Sequence, residues 1–164
     1  MGLECSGYLV EDNKVNYDKR YMALLPGGAY AEYVTVNKNH IMPVPEGLDM
    51  TQATAIPESW ITAYGLCRLA NVGFNDTVLI HAAGSGVGTA LIQLVNYYKG
   101  KSICLVGNEK KATFCYELGQ GSVHCIDRHD KDKVKNILSH SESHGCNVIF
   151  DCVGASEFLN VLVY

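Results

Sequence analysis

The second half of the chain alternates between short apolar runs and stretches in which apolar residues recur at helical spacing. The apolar runs predict buried strands at residues 77–81, 102–106, 122–126 and 147–152. Between and after them, the spacing predicts helices at residues 86–98, 109–118, 131–139 and 155–164. This regular alternation predicts an α/β fold with a doubly wound parallel sheet and right-handed crossovers.

The first half has a different pattern, in which short segments rich in strand-forming residues are bounded by glycine and proline. These segments predict strands at residues 2–10, 15–25 and 29–36. Asp49 or Thr51 can cap a short helix, and Pro57 can open a longer one that ends near Ala70. The chain is therefore predicted to contain an all-β part at 1–50, linking helices at 51–75 and a partial doubly wound domain at 76–164.

A glycine-rich turn at residues 83–88 follows the first strand of the second half. Against the G-x-G-x-x-G pattern, Ala83 occupies the first glycine position, Ser85 the second and Gly88 the third. Backbone N–H groups and the positive end of a helix dipole converge at such a turn, where a pyrophosphate can bind. The pattern favours a dinucleotide-binding turn, and a tight structural turn in which Ser85 only caps the helix is the alternative.

Composition and charge narrow the class of partner. With 164 residues, 48% of them hydrophobic, the chain can bury a substantial core. A net charge of -4 with 13 Lys and Arg and no basic stripe argues against nucleic acid and favours small molecules. No apolar run is long enough for a bilayer and the first residues lack signal-peptide features, so we expect a cytoplasmic protein without a membrane partner.

Cysteine and histidine usage gives no metal prediction. The seven cysteines are scattered and never form C-x-x-C, which is typical of small core residues in a reducing compartment. His140, His144 and Cys146 are close in sequence, but they lack the paired spacing of zinc sites. His81, at the end of a buried strand, is expected to face the sheet core rather than a ligand.

Several motifs occur in one order along nearly the whole chain: GLECSG at 2–7, GGAYAEY at 27–33, PEGL at 45–48, AIPESWITAY at 55–64, the turn AGSGVG at 83–88 and DCVG at 151–154. Together they resemble the quinone oxidoreductase branch of the medium-chain dehydrogenase/reductase family. The turn is most similar to the tumour-suppressor-inducible quinone oxidoreductase subgroup.

The resemblance implies part of a GroES-like all-β domain followed by a partial Rossmann domain that supplies four of the six strands of a dinucleotide-binding sheet. Family members also carry residues before Gly2 and a C-terminal part, so we expect this chain to be an internal fragment. A full-length parent is expected to be a homodimer. The alternative to an enzyme is a truncated, non-catalytic isoform that keeps part of the cofactor-binding fold.

The same resemblance implies chemistry without zinc. Zinc alcohol dehydrogenases of the wider family have a histidine ligand where this chain has Leu3, and leucine cannot bind zinc. Hydride would pass directly from the nicotinamide to a quinone or an activated alkene. Because the cofactor carries that chemistry, no side chain of this chain is predicted to be catalytic and no metal is predicted.

Cofactor preference depends on Gly107, which lies about twenty residues past the turn, where NAD-preferring sites carry Asp or Glu. Lys111 matches a phosphate-binding lysine of similar quinone reductases. Ile126 lies where relatives have Tyr or His near the adenosine, and Arg128 can substitute for that contact. We therefore expect NADP(H) rather than NAD(H). The alternative for Lys110 and Lys111 is an ordinary solvated helix face.

The expected cofactor-binding residues are those that match the family motifs or the strand ends: Thr62, Ala83, Gly84, Ser85, Gly86, Val87, Gly88, Gly107, Lys111, Ile126, Val153 and Gly154. Thr62 could instead bond its own helix backbone. For Asp151 two roles stay open, contact with the cofactor and satisfaction of loop N–H groups.

Overall fold

A computed structural model describes residues 1–142 and 144–154. It divides the chain into two compact units, Met1–Ile61 and Thr62–Tyr164. The predicted helix at 155–164 lies outside the described residues.

The first unit contains an antiparallel sheet of order β1-β2-β3 in the described part of the chain. Its strands are β1 (Glu4–Glu11), β2 (Lys14–Leu24) and β3 (Ile41–Pro43), and a 3₁₀ helix (Lys38–His40) precedes β3. Asp12 and Asn13 adopt positive φ angles of 50° and 59° in the hairpin between β1 and β2, as the tight turn requires. The first two predicted strands are confirmed.

The third predicted strand, at residues 29–36, is wrong. That segment forms bends and loop, and Tyr30 and Tyr33 are 82% and 73% exposed. Strand propensity reflects packing of side chains on a half-buried pleated surface, and these tyrosines have no such surface. The short β3 pairs with β2 instead, where Met22 faces Met42 across the sheet.

Two helices follow the sheet. α1 (Met50–Thr54) begins at Asp49, whose side chain accepts from the Gln52 N–H, while the Gln52 side chain accepts from the Asp49 N–H. This capping box confirms the predicted cap. α2 (Ser59–Leu69) confirms the longer helix and continues into the second unit.

The second unit contains a parallel sheet of order β6-β5-β4-β7 within the described residues. Its elements are β4 (Thr77–Ile80), α3 (Gly86–Tyr97), β5 (Lys101–Val106), α4 (Glu109–Leu118), β6 (Val123–Asp127), α5 (Lys133–His140) and β7 (Val148–Phe150). The four predicted strands and the helices predicted at 86–98, 109–118 and 131–139 are confirmed, and the fold is α/β. No helix in the described ranges is long and apolar enough to cross a membrane.

The centre of the sheet is fully apolar. Val78, Leu79 and Ile80 of β4 have no exposed surface, and Ile103 beside them on β5 has none. Each such aliphatic side chain contributes about 1.5–3 kcal/mol when it is buried. This rigid centre fixes the carboxyl ends of β4, β5 and β7 at one edge of the sheet.

Candidate functional site

A cleft of about 480 Å³ lies at the carboxyl edge of the parallel sheet. From β4 the chain moves to β5 and β6 on one side, and it then crosses to β7 on the other side of β4, so the strand order reverses between β4 and β7. Ligands of doubly wound sheets bind at such a switch point. The lining residues come from the ends of four strands and the helix starts that follow: His81, Ala82, Gly84, Ser85, Leu105, Val106, Gly107, Asn108, Lys111, Arg128, His129 and Val153.

One wall of the cleft is the turn between β4 and α3. A Cβ added to Gly88 would lie 2.5 Å from the Ala83 carbonyl oxygen, so only glycine lets α3 pack this closely on the turn. Ser85 Oγ caps the helix by accepting from the Gly88 N–H at 3.1 Å. Helix geometry leaves the N–H groups of Gly86 and Val87 without an intrahelical acceptor. The positive end of α3 therefore lies at the cleft.

Backbone strain accompanies this turn. Ala82 has a φ of 49°, in the left-handed region that favours glycine. This conformation costs alanine about 1–2 kcal/mol, which the surrounding packing must offset. The amino-acid sequence carries no signal for this feature, because alanine rarely adopts that conformation.

The opposite wall is formed by side chains that follow β5 and β6. Asn108 caps α4 by accepting from the Lys111 N–H at 2.9 Å. The Lys111 stem crosses to the first wall, where a Cβ on Gly84 would lie 3.0 Å from Lys111 Cδ. Arg128 lies beside Gly107, whose added Cβ would be 3.4 Å from Arg128 Nε. Among the described residues, no Asp or Glu lines the cleft, so this wall is cationic.

A third group joins the ends of β4 and β7. His81 is 2% exposed, and its Nδ1 lies 3.0 Å from Asp151 Oδ1. The same oxygen accepts from the N–H groups of Val153 and Gly154 at 2.8 and 3.0 Å. The Gly154 N–H above all, together with the Val153 N–H and His81, holds the pKa of Asp151 below its usual value, against the opposing effect of burial. His81 both lies in the buried sheet edge and lines the cleft.

The cleft brings together five of the expected cofactor-binding residues: Gly84, Ser85, Gly107, Lys111 and Val153. Those outside its lining are Thr62, Ala83, Gly86, Val87, Gly88, Ile126 and Gly154. Thr62 is exposed on α2, whereas Ile126 is buried in the core with Leu105 and Ile137.

Some lining residues were not expected from the sequence. Asn108 is a helix N-cap, and an Asn directly before a predicted helix is the signal that could have found it. His129, whose Nε2 accepts from Arg128 Nε at 3.0 Å, has no comparable signal. Asp151 does satisfy loop N–H groups, the second of its two open roles.

His140, which is close in sequence to His144 and Cys146, contacts a histidine from another element. The His140 ring stacks on His124 with centroids 4.2 Å apart. Burial, together with the charges of His140 and Lys101, lowers the pKa of His124. Within residues 1–142 and 144–154, no group of three or more His, Cys, Asp or Glu side chains could hold a metal ion.

Sequence relatives of the chain include a quinone oxidoreductase-like protein, a synaptic vesicle membrane protein homolog and a tetraketide synthase. It is 32% identical over 168 residues to the quinone oxidoreductase-like protein 2 homolog of Nematostella vectensis, covering 98% of this chain and 45% of that protein. It is 31% identical over 164 residues to the synaptic vesicle membrane protein VAT-1 homolog of Danio rerio, covering 95% and 33%. It is also 30% identical over 161 residues to the squalestatin tetraketide synthase of Phoma sp., covering 93% and 6%. No protein-family model matches the chain.

Solved structures share the fold. The quinone oxidoreductase of Pseudomonas syringae superposes with a TM-score of 0.85 at 27% identity, over 99% of this chain and 51% of that chain. The quinone oxidoreductase of Thermus thermophilus, which was also solved as a complex with NADPH, has a TM-score of 0.79 at 25% identity, over 98% and 50%. The chain thus spans about half of these structures and less than half of the curated relatives.

Proposed function

We propose a function for this chain from its family and its cleft. Its quinone oxidoreductase-like relatives and its fold assign it to the medium-chain dehydrogenase/reductase family of oxidoreductases. It would hold NADP(H) in the cleft for reduction of a quinone or an activated alkene. The observation that carries the proposal is the cationic wall, where Lys111 and Arg128 flank Gly107.

The turn supports a pyrophosphate site. Two features suit a phosphate group at the start of α3: the glycine-dependent packing of Gly88 and the N–H groups of Gly86 and Val87 that lack intrahelical acceptors. Ser85 caps the helix through its hydroxyl, which is compatible with phosphate binding because different N–H groups are used.

The cationic wall supports a 2'-phosphate over a free 2'-hydroxyl. A carboxylate at position 107 would accept hydrogen bonds from ribose hydroxyls and repel a phosphate. Gly107 removes that repulsion and leaves the surface beside Arg128 open. Lys111 and Arg128 supply the charges that a phosphate dianion would attract. This combination favours NADP(H).

When bound, the nicotinamide would supply the hydride that reduces the substrate. This chain would then bind the cofactor, orient it against the substrate and exclude water. Val153 and the buried His81 provide part of the cleft wall for these tasks. Leu3 occupies the position of the zinc ligand in related alcohol dehydrogenases, so the proposed reaction is independent of zinc.

The proposal is tested by titrating the purified protein with NADPH and NADH, followed by turnover assays with an ortho-quinone. We expect tighter binding of NADPH and quinone-dependent NADPH oxidation that a chelator leaves unchanged. Binding of neither cofactor would overturn the proposal. Loss of turnover on chelation, restored by zinc, would overturn its zinc-free chemistry.

Enoyl reduction is a second candidate, because the fold also matches the JamJ enoyl reductase with a TM-score of 0.83 at 25% identity, over 99% of this chain and 50% of that chain. A quinone and an enoyl thioester are both conjugated carbonyl compounds: the enoyl thioester accepts hydride at its β-carbon and a proton at its α-carbon, and the quinone accepts hydride and a proton to become a hydroquinone. Parallel assays with an α,β-unsaturated thioester and an ortho-quinone separate the two, since the preferred substrate will have the higher kcat/KM.

We also propose that the protein acts in the cytosol. All seven cysteines are free, and Cys67, Cys104 and Cys115 are buried. Burial raises the pKa of the Cys67 thiol to about 11, which keeps it protonated and unreactive. Such thiols suit a reducing compartment. Localisation of the tagged native protein by microscopy tests this point.

A further inference from the structure

The ends of β4 and β7 meet at the cleft, where the His81 N–H donates to the Phe150 carbonyl at 3.0 Å and Cys152 Sγ donates to the His81 carbonyl at 3.7 Å. These strands pair in parallel, with Ile80 opposite Phe150, and each is followed directly by a polar residue. The residue after β4 is His81 and the residue after β7 is Asp151, so the sheet register brings the two together. The Asp151 side chain is only 18% exposed.

Three groups lie within hydrogen-bonding distance of Asp151 Oδ1. It accepts from the Val153 and Gly154 N–H groups and lies 3.0 Å from His81 Nδ1. Gly154 has a φ of 69°, so the loop turns back tightly toward the carboxylate. Val153, held between these bonds, is 52% exposed and lines the cleft. Without the carboxylate, its backbone would lose the contact that fixes its position.

We infer that Asp151 is a positioning residue for cofactor binding, which holds the 151–154 loop against His81 so that Val153 forms a fixed part of the cleft wall. The inference rests on the proposed function, since it requires NADP(H) in the cleft. Asp151 acts through the loop and does not line the cleft among the described residues.

The position of the loop in the sheet predicts which cofactor property it affects. β7 lies on one side of β4, whereas β5 and β6, which precede Gly107 and Arg128, lie on the other. Adjacent strands are about 4.8 Å apart, so the loop is about 10 Å or more from the cationic wall. Disturbing the loop should therefore lower the affinities for NADPH and NADH by the same factor, without changing the preference between the two cofactors.

The test compares dissociation constants of NADPH and NADH for the wild-type chain, Asp151→Ala and Asp151→Asn, with melting temperatures measured in parallel. Asp151→Ala should weaken both cofactors about tenfold, the scale of one hydrogen bond to a charged group. Asp151→Asn keeps an oxygen acceptor without the charge, so both cofactors should weaken only about threefold. If Asp151→Ala fails to fold, the equal loss in Asp151→Asn is the deciding result.

Glu142→Ala is the matched control, because it removes a carboxylate from an exposed ion pair with Lys101 and should leave both affinities unchanged. A lower melting temperature with unchanged affinities in the Asp151 variants would overturn the inference and leave the proposed function intact. Selective loss of NADPH alone would also overturn it. A wild-type chain that binds neither cofactor would overturn the proposed function and this inference together.

Discussion

The two walls of the cleft are built in different ways. On the α3 side the geometry comes from the backbone: Gly88 permits close packing and Ser85 caps the helix. On the opposite side the geometry comes from the charged side chains of Lys111 and Arg128, which lie around Gly107, a residue without a side chain. A substitution in the first wall should therefore act mainly on folding, and one in the second mainly on the choice of ligand.

The largest effect is expected from Gly88→Ala in the backbone wall. The added Cβ would lie 2.5 Å from the Ala83 carbonyl oxygen and 2.7 Å from that of Ala82, and neither backbone atom can move without shifting β4 or α3. We expect about 3 kcal/mol of lost stability, the upper range of overpacking. Chemical denaturation measures it.

Gly65→Ala is the control for that variant. Gly65 lies in α2, and a Cβ there meets nothing within 4 Å. Alanine in a helix interior should add about 0.5–1 kcal/mol of stability relative to glycine. A Gly88→Ala chain as stable as wild type would show that the turn is looser than its contacts indicate.

Gly107→Asp should place a negative charge in the cationic wall while leaving the fold intact. The added Cβ makes only ordinary contact with Arg128, and the new carboxylate can pair with that guanidinium. NADPH binding should weaken by about 1–3 kcal/mol, with NADH binding unchanged or tighter. Gly107→Ala adds the Cβ without the charge, so its two affinities should stay close to wild type. Equal losses in both variants would point to a steric cause.

The contrast between the walls also explains what could be read from the sequence. The turn at residues 83–88 is local, so its glycines and the surrounding strand and helix pattern predicted the element correctly. The strand predicted at 29–36 failed because a strand needs a partner, and pairing is not encoded within the segment. The His81 and Asp151 contact joins residues seventy positions apart in sequence. Only the register of β4 with β7 reveals it.

Ser85→Ala should give the smallest effect in the backbone wall. It removes the Oγ that caps α3 through the Gly88 N–H, at a cost of about 1 kcal/mol. Thr89→Ala, which removes an exposed hydroxyl from the same helix, is the control and should stay within about 0.5 kcal/mol of wild type. Equal stabilities of the two variants would mean that the cap contributes little.

The most direct test of the central claim, that the cationic wall reads a 2'-phosphate, is the affinity of Lys111→Ala for NADPH and NADH. Both lysines are exposed, but Lys111 lines the cleft beside Gly84 whereas the neighbouring Lys110 lies outside the lining, so Lys110→Ala is the matched control. NADPH binding should weaken by roughly 1–3 kcal/mol in Lys111→Ala, with NADH unchanged and Lys110→Ala like wild type. Equal weakening of both cofactors, or an equal effect of the two lysine variants on NADPH, would contradict the account.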